Sequence, residues 1–255
     1  NHEKEVLWQL FGVYADPLKG MKEIYAINPQ SQMMDLLLTR SINIIERIEL
    51  ANANYENQYG ENETNPDPDT STTRKIFDSS ESFNAFNNST AKDELESFIN
   101  IVVGQGKTHN PCLWLNAIAY LNWMNKKYDI AEKYLGQAKL CSNIDNLNQS
   151  QLAITDLLIQ FGKIEKLTPA TEQQLYQLLN VVTVVSPNDR SQAVYNYIMD
   201  KLSDRYTQSG NLLMAELCNN SRGSFYSEES KFDEMLDFMR KPGQSDFEKL
   251  LLKNY

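Results

Sequence analysis

Apolar residues recur along this chain at the spacing of one helix face. Leu95, Phe98, Ile99 and Val102 follow i, i+3, i+4, i+7. Leu175, Leu178, Leu179 and Val182 repeat the spacing, and Ile154, Leu157, Leu158 and Phe161 share another such face. Phe232, Met235, Leu236 and Met239 form a fourth. Strand-like alternation is nowhere sustained, and no Asn-Gly or Asp-Gly hairpin turn occurs. The pattern predicts an all-α chain of about ten to twelve helices of ordinary length.

Proline and glycine punctuate these faces. Asp16-Pro17, Asn28-Pro29, Asn110-Pro111, Thr168-Pro169 and Ser186-Pro187 each place a capping side chain before proline. Such a side chain accepts a bond from a free amide of the first turn, and proline at the first helical position loses no bond there. All five therefore predict helix starts. Pro242, in Lys241-Pro242-Gly243, predicts a helix stop. Gly104, Gly162, Gly210 and Gly243 fall where apolar periods end, so Val103 is expected to close one helix with Gly104 breaking it. Ser245-Asp246-Phe247-Glu248 reads as a capping box that starts the last helix.

One stretch breaks the helical pattern. From 54 to 90 the chain is rich in Asn, Ser, Thr, Asp and Glu and holds Pro66 and Pro68. That composition reads as a polar mobile linker. It divides N-terminal helices at 1–53, read as the end of a preceding helical region, from a longer helical region at 91–255. The chain opens on Asn1, without a methionine or a signal-like pattern, and is read as a processed product or an excised fragment.

Charge narrows the partners. The 255 residues carry a formal net charge of -10 with no compensating run of Lys and Arg, which argues against nucleic acid and anionic membrane surfaces. No apolar run approaches the ~18 residues of a membrane span. Cys112, Cys141 and Cys218 are widely spaced, odd in number and lack a C-x-x-C, a poor fit to a disulfide scaffold. They read as small apolar residues on helices, with one disulfide and a free thiol as the alternative.

Two motifs suggest chemistry and fail on context. Asp67-Pro68-Asp69-Thr70 resembles an aspartate-nucleophile signature, but Glu63-Thr64-Asn65-Pro66 before it is no strand. As a calcium loop it fails at Thr72 and Asp78, where glycine and glutamate are required. Gly106-Lys107-Thr108 matches the end of a phosphate-binding loop, yet Ile101 stands where the opening glycine belongs. The residues before it continue a helical face, and His109-Asn110-Pro111 delays the helix whose amides would meet phosphate. No cofactor is expected. His2 and His109 lack cysteine or histidine neighbours suited to zinc, so no metal site is expected either. His109 with Cys112 makes no oriented base–nucleophile pair.

The most informative segment follows. A helix is predicted from Pro111 to Met124, a turn at Asn125-Lys126-Lys127, and a second helix from Tyr128 to Leu140. With Ala131 as anchor, Ile118 and Ala119 fill a large–small pair, Leu135 a large position and Ala138 a second small one. A weaker copy, anchored on Ala215, has Leu202 and Ser203, Tyr206 and the turn glycine Gly210. Asn219 and Arg222 depart from the pattern, so its second helix is expected to stop early. Helical segments at about 147–162 and 169–185 lie between. The two units resemble degenerate tetratricopeptide repeats. Trp114 lies one place early, Asn122 replaces the expected tyrosine and no proline closes the first unit. The whole chain is similar to large exported bacterial proteins built from such helix pairs. The resemblance implies an α/α superhelix, a protein- or peptide-binding role and a periplasmic or cell-envelope location.

In such a repeat the first helix of each pair lines the concave face. That assigns Asn116, Tyr120 and Trp123 in the first unit, and Tyr197, Asp200 and Asp204 in the second, as groove candidates. Aromatics beside amides and carboxylates suit a peptide or a sugar. The family's carboxylate-gripping Lys and Arg are missing, so that specificity is not carried over. No catalytic residue is assigned. Glu228-Glu229 and Asp233-Asp237 are paired carboxylates, the latter i, i+4 on one helix face and expected to face solvent opposite Phe232 and Met235. They leave one alternative open, an α/α glycan-binding protein or carbohydrate-active enzyme.

Overall fold

The computed structural model describes residues 2–59, 90–141, 146–185, 189–219 and 225–255. All regular structure among them is helical. The helices are α1 (His2–Tyr14), α2 (Pro17–Ile27), α3 (Met33–Tyr59), α4 (Ala91–Gln105), α5 (Pro111–Met124) and α6 (Tyr128–Lys139). Then follow α7 (Asn146–Lys163), α8 (Pro169–Val185), α9 (Asp189–Gln208), α10 (Leu212–Cys218), a 3-10 turn (Phe225–Ser227), α11 (Glu229–Arg240) and α12 (Asp246–Asn254). The chain divides into two compact units, one of 1–125 with 136–141, the other of 126–135 with 142–255.

Most of the punctuation holds. Asp16 caps α2, accepting from Lys19 N at 2.9 Å, and Asn110 caps α5, accepting from Leu113 N at 3.2 Å. Thr168 Oγ1 accepts from Thr171 N at 3.3 Å ahead of Pro169. Ser245 and Glu248 form both bonds of the capping box, at 3.1 and 2.6 Å. Gly210 and Gly243 sit at positive φ where helices end, and α10 is short, closing at Asn219.

Four expectations are corrected. Asn28-Pro29 does not start a helix. Asn28 ends α2, its side-chain oxygen accepts from Gln30 N at 3.1 Å, and its Nδ2 reaches the buried Glu5 carboxylate at 3.4 Å. A side chain committed to this local turn is not free to cap a helix, and α3 begins only at Met33. Gly104 does not break its helix. α4 runs through it to Gln105, and Gly106, at φ 62°, takes the left-handed cap and donates to Val102 O and Val103 O. Gly162 lies inside α7, and its reason is space. A Cβ there would stand 2.4 Å from the Tyr128 ring. The polar stretch read as starting at 54 is helical through Tyr59. Ser186-Pro187, Asp67-Pro68-Asp69-Thr70 and the rest of that stretch before Thr90 lie outside the described residues.

The first unit is built around α1–α5. α1 and α2 approach closely at Gly12 and Gly20, where a Cβ on Gly20 would meet Trp8 O at 2.8 Å and Gly12 Cα at 2.9 Å. Met21, Ile24, Met34, Leu37, Leu38, Leu95 and Ile99 are fully buried. Phe98 of α4 packs edge-to-face against Tyr25 of α2 at 5.8 Å and Trp114 of α5 at 6.0 Å. This aromatic chain ties three helices together.

The second unit pairs α7 with α8 and α9 with α10, and α12 packs on α8. Leu157, Leu175, Ile198, Leu202 and Phe247 are its fully buried centre. Ser203, the small position of the second repeat-like unit, is buried and donates to Ala215 O at 2.8 Å, which lets α9 and α10 meet closely. Arg205 closes the end of α7. Its guanidinium lies 4.2 Å from the Phe161 ring centre and donates to Ile164 O at 2.9 Å. A cation there satisfies end carbonyls and complements the helix dipole.

Candidate functional site

The six groove candidates fall in two compact units, three in each. In the first, Asn116 is half-buried and its Oδ1 is enclosed without a hydrogen-bond partner. Tyr120 is only 6% exposed, and its ring packs 5.2 Å from that of the half-buried Trp123. The Tyr120 ring thus belongs to the packed interior. In the second, Tyr197 is half-buried beneath Lys201, whose Nζ is 6.0 Å from the ring centre, and burial pushes its hydroxyl pKa up. Asp200 is exposed and accepts from Asn219 Nδ2 at 2.9 Å, and Asp204 is half-buried.

The joint at Gly106–Asn110 is held by the turn before α3. Gln30 Nε2 donates to Lys107 O at 2.6 Å, and Gln32 Nε2 lies 3.0 Å from His109 Nε2. His109 Nδ1 stands 3.7 Å from Asp35 Oδ2, while Asp35 Oδ1 accepts from Trp114 Nε1 at 3.0 Å. Burial raises the Asp35 pKa, and the Trp114 bond and the nearby His109 oppose the rise. Cys112 turns away from His109 and donates to Ala138 O at 3.4 Å. The arrangement fixes a loop.

Another polar cluster is buried in the second unit. Tyr206 donates to Glu172 Oε1 at 2.6 Å, and its hydroxyl pKa is driven up first by burial and then by that carboxylate. Cys218 is pushed up to about 12, by burial first and then by Glu172. A thiol held protonated is a poor nucleophile.

An open groove of about 330 Å³ is lined by Tyr226, Phe232, Met235, Leu236, Met239 and Tyr255. Four of these form the apolar stripe of α11. Met235 is buried, but Phe232 is 54% and Met239 44% exposed. Across from the stripe, the hydroxyls of Tyr226 and Tyr255 are bonded together, and Tyr255 also donates to Glu216 Oε1 at 3.3 Å. Since Tyr255 gives its proton to Glu216, Tyr226 is the donor of the pair. Burial, Tyr226 and Glu216 all raise the Tyr255 pKa, keeping that rim neutral. Lys231 is paired with Glu234 at 2.7 Å, whereas Glu228, Glu229, Asp233 and Asp237 are exposed. The groove is apolar inside, and the exposed charges of α11 and its ends are mixed, Glu228, Glu229, Asp233 and Asp237 with Arg240 and Lys241.

The sequence showed the stripe but not its exposure. Periodicity reports that a face is apolar, not whether a neighbour covers it. Tyr226 and Tyr255 belong to no periodic segment, so nothing in the sequence joined them to α11.

Among the described residues no group of three or more His, Cys, Asp or Glu is placed to hold a metal, and no helix is long and apolar enough to cross a membrane. Comparison with protein-family models, curated proteins and solved structures finds no match to this chain.

Proposed function

We propose that this chain is a non-catalytic helical-repeat scaffold, an α/α superhelix of the tetratricopeptide-like kind, that binds a protein or peptide. The observation that carries the reading is the α11 groove. Its floor is aromatic and methionine side chain, and methionine repacks readily around different partners. Phe232 and Met239 of the stripe stay open to water, and a partly open apolar stripe of this spacing is a surface that an amphipathic helix covers in helix-in-groove recognition. The formal net charge of -10 favours a partner with Lys or Arg beside its apolar face. None of the six lining residues is a carboxylate, so the groove offers no acid–base pair of the kind the carbohydrate-active alternative requires.

A thermal-shift screen tests this reading. A basic amphipathic peptide is expected to raise Tm in a concentration-dependent way, by linkage, whereas neutral oligosaccharides leave it unchanged. A rise with oligosaccharides alone would favour the glycan-binding alternative.

A further inference from the structure

Two thiols meet at one carbonyl where α5 begins and α6 ends. Cys112 is the second residue of α5, and Cys141 follows α6 by two residues. Both belong to the first compact unit, whereas Cys218 belongs to the second. All three are thiols in this structure. Cys112 is buried, and its Sγ donates to Ala138 O at 3.4 Å. Cys141 N donates to the same oxygen at 3.2 Å. The two bonds laid end to end place Cys112 Sγ within about 6.6 Å of the Cys141 amide nitrogen. A cysteine sulfur stands ~3–4 Å from its own amide nitrogen and an S–S bond adds ~2 Å, so a disulfide spans a separation of this size. Cys141 is held elsewhere only by a long contact, its Sγ 4.0 Å from Gln137 O, which a turn about χ1 gives up. Ala138 O keeps the Cys141 amide when Cys112 stops donating, so oxidation orphans no buried carbonyl.

We infer that Cys112 and Cys141 form a reversible disulfide that staples the start of α5 to the end of α6 and makes the first repeat-like pair redox-sensitive. The oxidant is a low-molecular-weight disulfide of the glutathione class. Access sets the order of events, because Cys141 is half-buried and Cys112 buried. The Cys141 thiolate attacks one sulfur of the oxidant, forming a mixed disulfide and releasing one glutathione thiolate. Cys112 then loses its proton and attacks the Cys141 sulfur, expelling the second glutathione thiolate. Two protein thiols are oxidised, one glutathione disulfide is reduced to two thiols, and the two protons pass to the released thiolates. The bridge closes a loop of about 30 residues, which restricts the unfolded chain and stabilises the fold. Cys218 competes poorly, since burial keeps its thiol protonated.

Equilibration of the intact chain in a glutathione redox buffer tests it, with an iodoacetamide quench and mass mapping without reduction. A Cys112–Cys141 linked peptide should dominate and vanish on adding dithiothreitol. The oxidised chain should melt about 5 °C or more above the reduced one. Cys141→Ser alters a half-buried position beyond the helix. It should keep the wild-type circular dichroism and erase both the linked peptide and the redox-dependent shift in Tm. Cys112→Ala should trap Cys141 as a mixed disulfide with glutathione, because the resolving thiol is gone. If Cys112→Ala loses its helical signal, early quenching of the wild type replaces it, and the mixed disulfide at Cys141 should precede the bridge. In denaturing urea a Cys141–Cys218 link should appear beside the native one, because the fold no longer selects the pair. A wild type that stops at the mixed disulfide, a dominant link to Cys218 in the folded chain, a link between chains, or a bridge that leaves Tm unchanged would overturn the inference.

Discussion

Trp114 shows how one side chain settles several questions at once. Its ring is fully buried against Phe98, and its Nε1 supplies Asp35 with a partner. A tryptophan is placed in a core when its N–H can be satisfied, and a part-buried carboxylate is tolerated when it is bonded. Trp114→Phe keeps an aromatic ring and removes the donor, so it should cost about 1–3 kcal/mol in urea unfolding. The pH dependence follows in sign. Burial raises the Asp35 pKa above 3.8 in the folded state, so the unfolded chain ionises first as pH rises. The stability tied to this group is fully present below 3.8 and declines as pH climbs through the folded value. Loss of the Trp114 bond raises the folded value further and deepens that decline. Cys218 gives a second test at this scale. Burial first and then Glu172 push its pKa up to about 12, so its thiolate is scarcer at neutral pH than that of a free thiol. Alkylation followed by peptide mass mapping should label Cys141 well before Cys218, and early labelling of Cys218 would contradict its environment.

At the scale of elements, the packing of α1 on α2 depends on two glycines. Gly20→Ala forces a Cβ against the Trp8 carbonyl and the Gly12 backbone. Backbone yields less readily than a side-chain tip, so the substitution should cost about 1–3 kcal/mol despite alanine's better helix propensity. At the other end, Ser245→Ala removes one half of a complete capping box and should cost about 0.5–2 kcal/mol, read from the thermal midpoint. These two sites differ in how they announce themselves. The capping box lies wholly within four consecutive residues, so the order of its side chains is enough to reveal it. The Gly12–Gly20 contact depends on how two helices meet, and local spacing carries no trace of it. The same division explains the corrections. Asn110-Pro111 and Asn28-Pro29 look alike, but the Asn28 side chain is drawn to Gln30 N and Glu5. Gly162 resembles a helix stop, and only the Tyr128 ring beside it shows that it is there for clearance. The helix boundaries at Pro111–Met124 and 169–185 are legible in the sequence because proline, cap and apolar period agree there.

For the molecule as a whole, the question is which apolar surface is left uncovered and what covers it. After the helices of each unit have packed, Leu7, Leu10, Phe11 and Tyr14 of α1 and Phe232 and Met239 of α11 stay open to water. The α11 stripe is readable as a face in the sequence, yet Tyr226 and Tyr255, which complete the groove, come together with α11 only in the fold. The groove candidates on α5 and α9 came from the repeat resemblance. Tyr120 is buried, which removes its ring from a binding surface on α5, and the binding proposal rests on the α11 groove. Fluorescence anisotropy of a labelled helical Leu/Lys peptide, titrated with the wild-type chain and with Met239→Glu, tests this most directly. The wild type should bind with a Kd on the order of micromolar, weakening as salt rises, and Met239→Glu should weaken binding at least tenfold with its helical content intact. Absence of binding to the wild type, or equal binding to both chains, would contradict the assignment of the groove.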